Sequence, residues 1–331
     1  MREAVFEGKR TFAVKEMSEP VPGEGEVTIK VHCCGICGSD LHTYVEGAQA
    51  RYGHEFAGDI VEVGPGVKGW QAGDRVAAES VGSCGECLWC RRGEINLCQD
   101  FYAVWSGTAG AFATYTKSRA DRLHRLPPEI SYEEASLAEP AAVALHAVQL
   151  SSIRAGSTVA VLGLGPIGNL VAQLARASGA GTVYATEASK TRLELARKFA
   201  DHVVDVGQVD PVEEILALTS GTGPDIVFEC AGAVSTTQQA LALARRGGSV
   251  ILVGMCLHPM EMLIGNLVLR ELTLKGSMCF HAGEYSKAME MIKHGKIDVL
   301  SLVTARLPLD RINEAFELAL SGDGGKILVF P

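Results

Sequence analysis

The chain of 331 residues contains no uninterrupted apolar run of the ~18 residues that a membrane-crossing helix requires. Its opening stretch, MREAVFEGKR, is charged throughout and lacks the apolar core of a secretory signal. Basic clusters are also missing: 30 Lys and Arg stand against 39 Asp and Glu, a formal charge of −9. A nucleic-acid partner needs clustered cations, so that class is disfavoured, as is a membrane partner. There is no internal repeat and no low-complexity tract. The expectation is a cytoplasmic protein, in which ten cysteines are thiols or metal ligands rather than disulfides. The length suggests about two domains.

What is present has two textures. Up to about residue 140, alternating runs such as EVTIKVHC and Val-rich runs cut by glycine suggest a small β-barrel or sandwich. From about 141 to 278 the apolar, β-branched runs STVAVLG, GTVYATE, DIVFECA and GSVILVG alternate with helical stretches. Such βα alternation predicts a parallel, doubly wound α/β sheet. The tail beyond 279 holds two helix-like segments and a last strand, KILVF.

VAVLGLGPIGNLVAQLA sets Gly163, Gly165 and Gly168 as G-x-G-x-x-G between a predicted strand and a predicted helix. Gly163 would allow the tight turn, Gly165 the approach of a pyrophosphate, and Gly168 the closing of helix on sheet. Pro166 and Ile167 lie within the same turn, and the helix start offers N–H groups to phosphate. Glu187 ends the next strand, placed to accept from ribose hydroxyls and to repel a 2′-phosphate. That predicts NAD, although Arg192 nearby could also hold a phosphate. Val253 and Gly254, at the end of GSVILVG, are counted with the cofactor-binding residues.

CGECLWCRRGEINLC spaces Cys84, Cys87, Cys90 and Cys98 as C-x2-C-x2-C-x7-C. Four thiolates at this spacing can enclose a tetrahedral zinc with no position left for substrate. The iron–sulfur alternative fits poorly, because its last gap is shorter and is followed by proline. A second set is looser. Cys37, His54 and an acidic residue would leave a fourth position open, the pattern of a catalytic zinc. Cys33 and Cys34 end an apolar strand and are read as core.

The motifs CGICGSDLH, GHEFAGDIVEVG, GDRVAAE, LAEPAAVALHA and VLGLGPIG, with the cysteine lobe, resemble the zinc-dependent medium-chain dehydrogenases. The likeness runs over the whole chain and is closest to the polyol and threonine dehydrogenase branch. It implies a GroES-like domain from residues 1–141 and 279–331, a zinc lobe at about 82–100, and an inserted Rossmann domain, 142–278. It implies Cys37 and His54 as ligands of a catalytic zinc, with Glu139 or Glu55 as the third, and a second, structural zinc in the lobe. Glu is typical of polyol enzymes at the place of Glu139, which also starts a helix before Pro140.

The activity implied is hydride transfer between a secondary, polyol-like alcohol and NAD. Ser39 and His42, three residues apart on a helical turn, would carry the alcohol proton to solvent, and Tyr44 is a candidate for the pocket wall. The bland reading makes Ser39 a helix N-cap and His42 an exposed side chain. Rival readings are a general alcohol or threonine-type dehydrogenase, a metal-free quinone reductase on the same scaffold, and a silent NAD- or zinc-binding protein. Only VEGAQARYG lies between Tyr44 and His54, shorter than in relatives, which bears on the substrate wall. A homo-oligomer is expected, a tetramer before a dimer.

Overall fold

The computed structural model describes residues 1–103 and 110–331. The chain forms two compact units. One comprises Met1–Pro140, Phe280–His294 and Val299–Pro331; the other comprises Ala141–Cys279 and Gly295–Asp298.

The first unit is built on a seven-stranded sheet that joins strands from residues 26–125 to the two C-terminal strands, while Arg2–Gly8 and Thr11–Glu16 pair in a separate two-stranded sheet. Glu26–Gly35 is its axis, pairing antiparallel with Glu55–Val63, with Tyr115–Arg119 and with the C-terminal strand Lys326–Phe330. Its inward residues Val27, Ile29 and Val31 follow the period of two and are buried, as are Ile60, Val76 and Val329. Phe12, Tyr44, Tyr52 and Phe316 fill the core beneath, their rings 4.7–5.9 Å apart. Tyr44 is therefore not a pocket wall. It is fully buried, and its hydroxyl donates to Arg10 O and to Glu317 Oε1.

The second unit holds six parallel strands. In spatial order they are His202–Asp205, Thr182–Glu187, Thr158–Leu162, Ile226–Glu229, Ser249–Leu252 and Thr273–Gly276. Numbered along this unit, that order is 3-2-1-4-5-6, the doubly wound dinucleotide arrangement, which binds ligands where the order reverses. The reversal lies beside Thr158–Leu162, the strand that runs into the glycine turn. Val159 to Leu162 are fully buried, as a strand covered on both faces must be.

Candidate metal and nucleotide sites

The first metal set is assembled by the barrel strands. Glu26–Gly35 runs through Ile36 into Cys37, which is the N-cap of the helix Gly38–Glu46. The N-cap is thus Cys37 and not Ser39. Asp40, at the third helical position, accepts from Cys37 N with Oδ2 at 3.0 Å and from Gly53 N with Oδ1 at 3.1 Å. The same Oδ1 lies 3.6 Å from His54 Nδ1. One buried carboxylate therefore ties the helix start to the turn bearing His54, and orients the imidazole from behind as metal-bound histidines require.

Glu55 follows on the next strand, paired with Gly35. A Cβ on Gly35 would lie 2.2 Å from Glu55 Oε2, so the carboxylate crosses the space that only glycine leaves. Ligand atoms of Cys37, His54 and Glu55 all lie within 4.8 Å of one another. Glu139, in the first turn of the helix Ala138–Leu150, is buried nearby and accepts a hydrogen bond from the Ser80 hydroxyl. Burial raises its pKa, with His54 acting against this and Glu55 with it.

Sequence reasoning missed the residue that balances this charge. Lys326, at the start of the C-terminal strand, is 96% buried and donates to both Glu55 oxygens at 2.7 Å and to Ile36 O at 3.0 Å. Burial pulls its ammonium pKa down, but Glu55, and then Cys37, outweigh this, and the net direction is upward. Asp40 and Ser80 were missed as well, although the three-residue spacing of Cys37 and Asp40 carries the capping-box signal. The hydroxyl of fully buried Tyr285 adds a neutral group beside these carboxylates. Desolvation drives its pKa well up, and Glu139, Glu79 and Glu55 push the same way. Ser39 is half-buried and His42 exposed on the helix Gly38–Glu46.

The second metal set is local. Sulfur separations are 3.9 Å for Cys84–Cys90, 3.5 Å for Cys87–Cys90, 4.0 Å for Cys87–Cys98 and 3.5 Å for Cys98–Cys84. Four sulfurs ~2.3 Å from a tetrahedral ion stand about 3.8 Å apart, so the set fits zinc. Backbone N–H groups of Cys84 and Cys87 point at sulfur, each at 3.3 Å. Backbone donation from Cys90 and Gln99 lowers the Cys87 pKa to about 6, whereas burial raises that of Cys98 to about 11.

In the second unit, Gly163 has a φ of 87°, and a Cβ on Gly168 would lie 1.9 Å from Gly163 O. Glycine is required at both, one for the turn and one for the close approach of helix to strand. Pro166 opens the helix Pro166–Ala177, and Ile167 and Gly168 follow it. Glu187 ends its strand buried, accepting from Leu164 N at 2.8 Å and from Ala188 N and Ser189 N at 2.7 and 3.0 Å. Arg192 brings its guanidinium to 3.6 Å from where a Gly165 Cβ would stand. Val253 N and Gly254 N both donate to Glu229 O at the neighbouring strand end. Glu229, which the sequence reading did not single out, is wholly buried and holds Ala231 N, Gly232 N and the Thr236 hydroxyl with one carboxylate oxygen.

Comparison with known proteins matches these two halves to two family models. Residues 23–128 match the alcohol dehydrogenase GroES-like domain, and residues 166–294 match the zinc-binding dehydrogenase model. The chain belongs to the zinc-binding alcohol dehydrogenase family. It is 36% identical to the sorbitol dehydrogenase of Bacillus subtilis (strain 168), covering 100% of this chain and 97% of that one. The crystal structure of 2R,3R-butanediol dehydrogenase from Bacillus subtilis superposes with a TM-score of 0.90 at 34% identity, covering 100% and 99% of the two chains. A zinc-binding dehydrogenase from Sinorhizobium meliloti 1021, solved with NADP bound, gives 0.93 at 32% identity with the same coverage. The chain is thus an oxidoreductase acting on alcohols, with a GroES-like barrel and a Rossmann unit.

Proposed function

We propose that this dehydrogenase oxidises a secondary alcohol flanked by a second hydroxyl, a polyol-like substrate, using NAD. The observation that carries the reading is the convergence of half-buried Cys37 with buried His54 and Glu55, and Glu139 buried beside them. These residues would hold the catalytic zinc, with Cys84, Cys87, Cys90 and Cys98 around the structural one. When bound, zinc polarises the reacting oxygen and the nicotinamide accepts hydride.

The chain's own residues do the rest. Asp40 fixes the His54 ring, Lys326 offsets the Glu55 charge, and Ser80 holds Glu139 by its carboxylate oxygen. Two carboxylates close together give acceptors for a hydroxyl next to the reacting one, which a simple alcohol lacks. Ser39, half-buried on the helix Gly38–Glu46, and exposed His42 carry the proton to solvent. The shortened segment 45–53 leaves room for a cyclic or substituted polyol.

NAD is favoured by Glu187, whose fixed carboxylate accepts from ribose hydroxyls and repels a 2′-phosphate. The protein works in a reducing, cytoplasmic compartment, in keeping with ten free cysteines. It is an oligomer, with four chains as the expected count. In support, the edge strand Thr273–Gly276 is accompanied by exposed Leu257, Leu263, Ile264, Val268 and Leu269, an apolar face of the kind homodimers bury.

The deciding experiment follows NADH production from matched pairs of vicinal diol and mono-alcohol, with and without a chelator. A site built to bind the second hydroxyl rejects the analogue lacking it by ~10⁴-fold, far more than a missing methylene would cost. Equal efficiency for both members of each pair overturns the polyol reading, and higher efficiency with NADP than with NAD overturns the role of Glu187.

A further inference from the structure

Away from the metal ligands, three side chains of the first unit form a hydrogen-bonded line. The Ser286 hydroxyl lies 3.1 Å from His124 Nδ1, and His124 Nε2 lies 2.8 Å from Glu79 Oε1. An ionised carboxylate can only accept, so Nε2 carries the proton and Nδ1 of the neutral ring is the acceptor of the Ser286 hydroxyl. His124 stacks on the buried Tyr285 ring at 4.5 Å, which fixes the imidazole plane. Glu79 and His124 are largely buried, at 13% and 18% side-chain exposure, while Ser286 is exposed.

The line opens into a cleft of ≈ 490 Å³ lined by Trp70, Leu123, Pro127 and Met289 with His124 and Ser286. That volume is within the range of small-molecule sites. The Arg125 guanidinium at its rim is engaged by Asp74 and stacked over Trp70, so the lining offers no unpaired cation to an anionic ligand. Ser286 sits in the first turn of the ten-residue helix Glu284–Lys293, which has no side-chain cap on its N-terminus. Its backbone therefore adds N–H donors beside the hydroxyl, the setting in which a developing oxyanion is stabilised.

We infer that Ser286, His124 and Glu79 form a second, hydrolytic site that takes neutral carboxylic esters with a small apolar acyl group. The roles are those of a nucleophile, a base and an orienting carboxylate, with the two ring nitrogens exchanged relative to the usual serine triad. The Ser286 oxygen bonds to the ester carbonyl carbon as its proton passes to His124 Nδ1. The bond to the leaving alcohol then breaks, and that alcohol takes the proton from His124. Water attacks the acyl-serine, losing a proton to Nδ1, and the acid departs as Ser286 recovers its hydrogen. No redox partner is needed, and none of the three residues belongs to the alcohol-oxidising set.

The test uses the full-length, zinc-loaded protein with p-nitrophenyl acetate and p-nitrophenyl butyrate, without nicotinamide cofactor. The expected result is a burst of nitrophenolate, with acylation of the Ser286 peptide detected by mass spectrometry. Ser286→Ala should remove the adduct and lower ester turnover by at least ~100-fold while alcohol oxidation is unchanged. His124→Gln should slow acylation, and the exposed Ser286 variant keeps the test valid if that protein does not fold. Ester hydrolysis that persists in Ser286→Ala, or that disappears in Cys37→Ala, overturns the inference, as does an absence of acyl-Ser286.

Discussion

The two metal sets of the first unit are solved by opposite means. The four-cysteine lobe draws its donors from fifteen consecutive residues, Cys84 to Cys98, and three of the four thiols are partly exposed. Its charge is met by backbone N–H groups of the same loop. The Cys37 set draws on strand, turn and helix, buries His54 and both glutamates, and depends on a lysine 271 residues along the chain from Glu55. A local site can be made by spacing alone. An assembled one exists only when the barrel sheet has closed, and a buried carboxylate in it needs a buried cation.

The comparison is broken most directly by removing one sulfur from each set. Cys37→Ala is expected to abolish alcohol oxidation and to lose one zinc while the thermal midpoint stays close to that of the wild type. Cys98→Ser is expected to lose the other zinc and to lower the midpoint, because structural zinc contributes to folding itself. Elemental analysis with differential scanning calorimetry reads both. An active wild type with a single zinc per chain would remove the distinction.

Lys326→Met tests the buried cation next. Leaving Glu55 without its partner should cost roughly 3–5 kcal/mol in unfolding free energy, far more than a surface pair would. Pairing it with Glu55→Gln should recover much of that loss, since no uncompensated charge remains buried. A denaturant titration showing less than about 1 kcal/mol for Lys326→Met would mean that Glu55 is balanced by something else.

The same contrast explains what could be read before folding. The lobe and the glycine turn were legible, because their donors and turns are adjacent in sequence and their geometry is set by spacing. Cys37 and His54 were legible as types, through short motifs. Lys326 was not: KILVF reads as a strand, but its pairing with Glu26–Gly35 and hence its lysine's destination follow only from the sheet order. Tyr44 was misread for the same reason. It lies four residues after Asp40 on a helix, and positions i and i+4 share a face, so both turn inward while Ser39 and His42 do not. Proximity to a ligand in sequence carried no information about which side of the helix meets the site.

A smaller effect is expected at Glu139, the carboxylate whose place between the two designs is intermediate. It is buried without a lysine of its own and relies on the Ser80 hydroxyl, and burial raises its pKa. Ser80→Ala removes one hydrogen bond to this group and should lower stability by about 1–3 kcal/mol. If Glu139 acts in substrate positioning, the diol should lose more efficiency than its mono-alcohol. A uniform loss on both would assign Ser80 to folding alone.

The smallest effect concerns His42, the exposed end of the proposed proton path. Everything buried there must exchange its proton with water through some exposed group, and the helix Gly38–Glu46 carries Ser39 and His42 three residues apart on one side. Because bulk buffer can partly replace an exposed base, His42→Ala should lower turnover only about tenfold, below the range of a sequestered catalytic base. The loss should be greatest below neutral pH, where unassisted removal of the alcohol proton is slowest, and should shrink as imidazole buffer is added. Steady-state rates from pH 6 to 9, at two imidazole concentrations, separate this from a structural role, which would lower the rate equally at every pH and ignore the buffer. A profile that falls uniformly would take His42 out of the proton path and leave the site with an exit that the helix does not supply.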